Sequence, residues 1–255
     1  MKLSPLTQDL SVFNKLDFQY PPIGVKFSFF RPEGIEQLAM DKNLSLCEMV
    51  KEAQLTGKPF YFSAENNETC VGKILLGMTD MAPFAESGQI GVRLGIFKEA
   101  RNNYNLYKYV HKMEKGVVNY VVFSTIDKLS YDPDVLVITA NPHQTEIVLR
   151  AVTYSTGEMY TSLVTPVMGC SWFLIYPFKT GKVNYLMPSL VHGPKGRQLY
   201  ADDTLIISIP HQWLPTVTKN LQEMKIDLPS HIDKEHYYAE FEQILSDLEK
   251  ESQNP

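Results

Sequence analysis

The sequence has little cysteine and lacks both charge runs and long hydrophobic stretches. It contains 3 cysteines among 255 residues. An odd number of widely spaced thiols fits poorly with a disulfide framework, and the polar start of the chain lacks a signal-peptide core. We therefore predict a reducing, cytoplasmic compartment. The apolar runs are much shorter than the roughly 20 residues of a spanning helix, so we expect no membrane partner.

Positive charge is also scarce. The chain has 24 Lys and Arg against 29 Asp and Glu, for a formal net charge of −5. The longest basic grouping is Lys195-Gly196-Arg197. Nucleic-acid binding usually depends on clustered positive charge, so we expect no nucleic-acid partner.

The best-marked catalytic motifs are absent. The sequence has no G-x-S-x-G, H-E-x-x-H or G-x-G-x-x-G motif. Cys70-Val71-Gly72-Lys73 resembles part of a phosphate-binding loop, but the upstream glycine and the following Ser or Thr are missing. These absences exclude the best-marked hydrolases, metalloproteases, dinucleotide enzymes and nucleotide triphosphatases. The sequence leaves open whether the protein is an enzyme.

Hydrophobic residues, 44% of the chain, are sufficient for a large core. Their spacing predicts helices over about 4–13, 45–57, 70–78, 97–116, 141–157, 212–224 and from 233 onward. Alternating patterns predict strands near 23–29, 60–62, 117–125, 134–139, 159–163, 183–187 and 205–209. Because helices and strands interleave, we predict an α+β or mixed α/β fold, in which helices cover a mixed β-sheet. We expect one domain over 1–228, followed by an amphipathic helix and tail over 229–255.

Several helix ends have specific signals. Ser45 and Glu48 have the spacing of a capping box, and Gly57 is typical of a helix end. Asn141-Pro142 starts another helix in the same way. Thr69 is the predicted cap of the helix over 70–78.

The three cysteines are the most unusual feature. Cys47 falls in the first turn of the helix capped by Ser45, and Cys70 at the first position of the helix capped by Thr69. The free N–H groups and dipole of a helix start favour a thiolate. Cys170 precedes an aromatic run that begins a helix or a buried strand. The alternative is that the thiols are small buried hydrophobes, which is the common role of cysteine.

The first functional hypothesis is a metal site. Cys47, Cys70 and Cys170 converge and hold an iron–sulfur cluster or another thiophilic metal ion. A fourth position remains for water, substrate, or a histidine such as His143 or His192. No close C-x-x-C pair supports this hypothesis, so it depends on the fold bringing the thiols together.

The second hypothesis is a binding module without catalysis. A small anionic or aromatic ligand would lie between the glycine-containing stretch 88–95 and the loop from His192 to Arg197. Gly72, His192 and Arg197 are the candidate cofactor-binding residues. A third hypothesis, with Cys70 as a nucleophile, needs a nearby base that sequence cannot place. The expected partners are a small molecule or metal, and a homo-oligomer is compatible with the sequence.

A series of short motifs resembles the prokaryotic domain-of-unknown-function family number 169. The motifs are Pro22-Ile23-Gly24-Val25-Lys26-Phe27, Cys70-Val71-Gly72, Asp134-Val135-Leu136 with Asn141-Pro142-His143-Gln144, Gly169-Cys170, and Asp203 before Ile209-Pro210. The resemblance covers roughly residues 6–225 and implies a single domain. It implies further that cysteines at places like Cys47, Cys70 and Cys170 are regular features of the family. It supplies no reaction, and the polar helix after about Ser230 looks like an extension.

Overall fold

The computed structural model describes residues 2–68 and 70–253, and the predicted cap at Thr69 lies outside this part. The strands are β1 (Ile23–Ser28), β2 (Glu36–Gln37), β3 (Phe60–Ser63), β4 (Tyr120–Thr125), β5 (Val135–Ala140), β6 (Asn184–Leu186) and β7 (Leu205–Pro210). Within the described residues they form one seven-stranded sheet in the order β2-β3-β4-β1-β5-β7-β6. Strands β2 and β3 are parallel, and the remaining neighbours are antiparallel. The predicted mixed sheet is confirmed.

Helices cover this sheet, so the fold is α+β. The α-helices are α1 (Leu46–Thr56), α2 (Gly72–Leu75), α3 (Pro83–Glu86), α4 (Gln89–Arg93), α5 (Ala100–Leu106), α6 (Pro142–Thr153), α7 (Tyr176–Thr180), α8 (His192–Gly196), α9 (Leu214–Glu223) and α10 (Lys234–Gln253). A π-helix spans Ser171–Ile175, and short 3-10 segments include Ser11–Leu16 and His211–Trp213. Within the described ranges, no helix combines the length and apolar character that a membrane crossing requires.

The backbone contacts divide the chain into two compact units, 1–222 and 223–255. The second unit contains α10, whose start is capped by Asp233. The Asp233 side chain accepts the N–H of His236 at 2.8 Å. This cap agrees with the sequence-based prediction for the last helix.

The sheet of the first unit has a core on each face. Val135 and Val137 of β5 join a core formed with α1 and the π-helix. Their neighbours Leu136 and Ile138 are equally buried, and alternation along a strand directs them to the opposite face. This explains why every residue of β5 is buried. The cysteine-bearing elements lie on the α1 face.

Local signals correctly predict two helices. The capping box of Ser45 and Glu48 starts α1, and Gly57 ends it with a φ of 61°. Asn141 caps α6 by accepting the N–H of Gln144 at 2.8 Å. In both cases a side chain satisfies a backbone group that the helix end leaves without a partner.

The predicted helix over 4–13 is wrong. Pro5 forms an isolated bridge with Tyr131, and the Thr7 N–H donates to Asp132 at 2.8 Å. Only the 3-10 segment Ser11–Leu16 is helical in this region. The apolar residues of this segment have a helical spacing in the sequence. In the folded chain, however, its backbone binds partners that are distant in sequence.

Two further predictions are wrong. The helix expected over 97–116 is limited to Ala100–Leu106, because the later chain bonds to the end of α2: the N–H of Met113 donates to the Leu75 carbonyl at 2.7 Å. The strand expected over 159–163 is absent among the described residues. The N–H of Leu163 donates instead to the side chain of Asn184 at 2.9 Å.

Candidate cysteine site

Cys47 lies in the first turn of α1, as the sequence predicts, and is buried. Its Sγ is 3.1 Å from Oγ of Ser45. The Ser45 hydroxyl donates to Oε2 of Glu48 at 2.6 Å. Either atom of the Cys47–Ser45 pair can be the donor, because both the thiol and the hydroxyl carry a proton.

Cys70 lies just before α2 rather than in its first turn, because α2 begins at Gly72. It is partly exposed. The helix start is satisfied by Glu68, whose carboxylate accepts the N–H groups of Gly72 at 2.7 Å and Lys73 at 2.9 Å. The absence of a side chain at Gly72 makes room for this arrangement. A Cβ there would collide with Oε1 of Glu68 and lie 2.5 Å from Cγ of Leu46, the neighbour of Cys47.

Cys170 is buried at the start of the π-helix, so the helical alternative for this segment is correct. The preceding Met168 has a φ of 59°, which sharply redirects the chain. The N–H of Ser171 then donates to the Met168 carbonyl at 3.0 Å, and the Ser171 hydroxyl donates to the His111 carbonyl at 2.8 Å. π-Helices are rare and often occur at functional sites.

The three thiols interact with one another across the core. Burial raises the pKa of Cys170 well above its ordinary value, and the charges of Cys70 and Cys47 raise it further. The charge of Cys70 also raises the pKa of Cys47. The three sulfur atoms do not all lie within 4.8 Å of one another. Cys47 and Cys170 share one hydrophobic core, and the three sulfurs do not pack into a tight group.

The expectation that helix starts make these thiols acidic is wrong. Burial raises the pKa of Cys47 to about 11, which outweighs the hydrogen bond with Ser45. Burial also raises the pKa of Cys70, despite the nearby N–H of Val71. Desolvation of the charged form opposes the helix dipole and is the larger effect here. At neutral pH all three groups are thiols, which is unfavourable for a nucleophile at Cys70.

Arg197 is the cation whose charge acts on the pKa of both Cys47 and Cys70. Its charge lowers the pKa of Cys47 and Cys70, against the larger effect of burial. Its guanidinium is held in place, because Nε lies 3.1 Å from Oε2 of Glu48 and Nη1 donates to the Gly193 carbonyl at 3.2 Å. Arg197 thus joins α8 to the first turn of α1.

The predicted cofactor-binding residues separate into two groups. Gly72 and Arg197 lie beside the cysteines, as described above. His192 is exposed at the start of α8, where its N–H donates to the Pro166 carbonyl at 2.8 Å.

A cavity of about 380 Å³ beside α8 is lined by Pro194 and Lys195, and none of residues 88–95 contributes to its lining. That stretch packs on α5 instead, with the Gly88 carbonyl accepting from Asn103 at 3.1 Å.

Sequence reasoning missed Glu68 and assigned Ser45 and Glu48 only a capping role. Burial raises the pKa of Glu68, although two backbone N–H groups and the charges of Lys73 and Arg197 oppose this. The charge of Glu68 in turn raises the pKa of Cys70 and Cys170. Its position two residues before Cys70 was the only sequence signal, and it is a weak one. We call Cys47, Cys70, Cys170, Glu48, Glu68 and Arg197 together the cysteine site.

Comparison with known proteins assigns the family. The profile of the uncharacterised ArCR family, domain-of-unknown-function family number 169, matches residues 12–220. The match covers most of the chain, so the protein belongs to this family, and the resemblance seen in the sequence is confirmed. Neither the curated proteins nor the solved structures contain a significant match.

Proposed function

We propose that Cys47, Cys70 and Cys170 are the ligands of an iron–sulfur cluster. The observation that supports the proposal is that the thiols of α1, the segment before α2 and the π-helix influence one another's pKa in every pair. Three cysteines leave one iron of a four-iron cluster without a cysteine ligand. Such an iron is open to water or a small molecule.

The three sulfurs do not form a ready-made site for a single ion. A tetrahedral ion with metal–sulfur bonds of about 2.3 Å holds its sulfurs roughly 3.8 Å apart. The three sulfurs are not all within 4.8 Å of one another. In a cluster each cysteine binds a different iron, so the sulfurs stand farther apart. A single ion would require the chain to move before binding.

The positive charge of Arg197 suits thiolates that are formed on loading, and the carboxylates of Glu48 and Glu68 oppose them. Metal binding must displace the thiol protons, so burial makes loading dependent on pH. Arg197 then provides a positive charge close to Cys47 and Cys70. A reducing compartment, which remains a prediction, would keep the thiols available for binding.

The alternative of an anion-binding module has less support. Arg197 was its principal residue, and the guanidinium already binds Glu48 and the Gly193 carbonyl. An anion would have to compete with both partners. A different cavity of the protein suits the aromatic-ligand form of this hypothesis better.

Anaerobic reconstitution tests the proposed cluster. The full chain, reduced and metal-free, is incubated with ferrous iron and sulfide and then desalted. We expect a broad visible absorption band, and iron and acid-labile sulfide retained with the protein. Cys47→Ser, Cys70→Ser and Cys170→Ser should each abolish most of the retained iron. Met49→Leu, which changes another fully buried side chain of α1, is the matched control and should retain it.

Two outcomes would reject the cluster. Retained iron that is unaffected by all three Cys→Ser changes would place it elsewhere on the chain. Tight binding of one zinc ion per chain, with no cluster formed, would replace the cluster by a single ion. Circular dichroism and thermal unfolding of each variant separate loss of ligands from loss of the fold.

A further inference from the structure

A cavity of about 510 Å³ opens beside the π-helix, away from the residues of the cysteine site. It is formed by residues of α5 and the chain after it, by the segment 163–165, and by the π-helix. Its lining residues are Asn102, Asn105, Leu106, Tyr109, His111, Leu163, Val164, Thr165 and Trp172. This volume is in the range of small-molecule sites. We call it the Trp172 cavity.

The lining of the Trp172 cavity contains no Asp, Glu, Lys or Arg. Its histidine is neutral at physiological pH, because burial and the charge of Lys179 lower the pKa of His111. A charged ligand would lose its hydration here without gaining a counter-charge. The cavity is therefore suited to an uncharged molecule.

Its deepest polar groups are already satisfied. The indole Nε1 of Trp172 donates to Oγ1 of Thr165 at 2.6 Å, and the Thr165 hydroxyl donates to the Val167 carbonyl at 2.7 Å. The interior thus presents the carbon surfaces of Trp172, Leu106 and Val164. Hydrogen-bonding capacity remains at the rim, where Asn102 and Asn105 are exposed on α5.

Aromatic side chains form much of the wall. The rings of His111 and Trp172 meet edge to face, with centroids 5.9 Å apart. Tyr109 also lines the cavity, yet 72% of its surface is exposed to solvent. An exposed tyrosine at the edge of an apolar depression gains contact area when a flat apolar molecule enters. The same geometry gives little preference to a branched aliphatic molecule.

We infer that the Trp172 cavity is a binding site for an uncharged, planar aromatic small molecule. The ring system packs against Trp172 and Tyr109, and the amides of Asn102 or Asn105 bind a polar group at its edge. The π-helix connects this site to the cysteine site, since Cys170 and Trp172 are two residues apart in the chain. The inference itself does not depend on the proposed cluster.

Nuclear magnetic resonance of the full chain provides the test. The two tryptophans give separate indole N–H resonances, and Trp213, which lines a different cavity, serves as an internal control. The Trp213→Phe variant lacks one of the two indole resonances, so its spectrum shows which resonance belongs to Trp172. Titration with indole, a neutral planar probe, should shift the Trp172 resonance saturably and leave Trp213 unchanged. Indole-3-acetate and cyclohexylmethanol should bind at least about tenfold more weakly.

A matched pair of variants locates the site. Leu163→Arg places bulk and charge at the cavity, whereas Met159→Arg makes the same change at an exposed residue that lines the Trp213 cavity. We expect the first to weaken indole binding on the order of tenfold and the second to leave it unchanged. Equal effects of both, or equal affinities for all three probes, would overturn the inference. So would a shift of the Trp172 resonance with protein concentration alone, which would indicate a second copy of the chain.

Discussion

The Nε atom of Arg197 lies 3.1 Å from Oε2 of Glu48, and this ion pair links α8 to the helix start that holds Cys47. Both side chains are about three-quarters buried, with exposed fractions of 25% and 26%. Lys115 and Asp80 form a pair that is far more exposed, at 71% and 78%. The two pairs should therefore differ in their contribution to stability.

Arg197→Ala should lower the free energy of unfolding by about 1–3 kcal/mol, because it leaves Glu48 and the Gly193 carbonyl without a charged donor. Lys115→Ala should change it by less than about 0.5 kcal/mol, since solvent screens an exposed pair. Urea unfolding monitored by circular dichroism measures both. A double-mutant cycle with Glu48→Gln tests the assignment: a coupling near zero would mean that the loss comes from other contacts of Arg197.

Alkaline pH should destabilise the protein through Cys47. The pKa is about 11 in the folded chain, against an ordinary value of 9.0, so the unfolded chain loses the thiol proton first. Stability from this group is complete below pH 9 and falls by about 1.4 kcal/mol per pH unit between pH 9 and 11. Cys47→Ala should flatten the pH dependence of unfolding in that window. Identical slopes for the two proteins would contradict the burial of a neutral thiol.

Gly72→Ala should separate the segment bearing Cys70 from α1. The new Cβ would meet Glu68 and Leu46, and we expect a loss of about 1–3 kcal/mol from overpacking, together with poorer iron retention. Gly196→Ala is the control, because a Cβ in that helix meets no atom within 4 Å. It should be neutral or slightly stabilising. Chemical unfolding and iron analysis are the measurements, and equal behaviour of the two variants would contradict the close approach.

Asn184 should be essential for the wall of the Trp172 cavity. Its side chain is buried, donates to the carbonyls of Trp172 at 2.8 Å and Leu163 at 3.0 Å, and accepts the N–H of Leu163. Asn184→Leu leaves these backbone groups unsatisfied, so we expect a loss of about 2–4 kcal/mol and weaker indole binding. Asn119→Leu removes one exposed bond to the Phe29 carbonyl and should cost less than about 1 kcal/mol. Thermal unfolding and the indole titration compare the two, and an Asn184→Leu protein of normal stability would contradict this role.

Sequence signals predicted the elements whose ends are specified locally. The pair Ser45 and Glu48 and the dipeptide Asn141-Pro142 identify helix starts because their side chains act within one turn. The prediction failed at Pro5 and over 107–116, where the partners are Tyr131 and the end of α2. Such partners are set by the tertiary fold and leave no periodic pattern in the segment itself.

The site was predictable only in part for the same reason. The thiols at Cys47, Cys70 and Cys170 could be identified as candidates, and their sulfurs do not form a tight group. The acidity of Cys47 and Cys70 was predicted wrongly because the helix dipole can be inferred from the sequence, whereas the degree of burial cannot. Glu68 binds N–H groups only four and five residues further on, but no known motif marks that spacing. The Trp172 cavity depends on segments that meet only after folding, so no motif indicated it.

The capping of α1 has a consequence for access to the interior. The terminal turn of a helix opens at a smaller free-energy cost than its middle, and Ser45 and Glu48 hold this turn closed. Because Cys47 lies in that turn, we expect brief fraying to expose its sulfur while the rest of α1, which contacts β4, stays packed. The residues that start the helix therefore also control how often a reagent or metal donor can reach a thiol that is otherwise sealed from solvent.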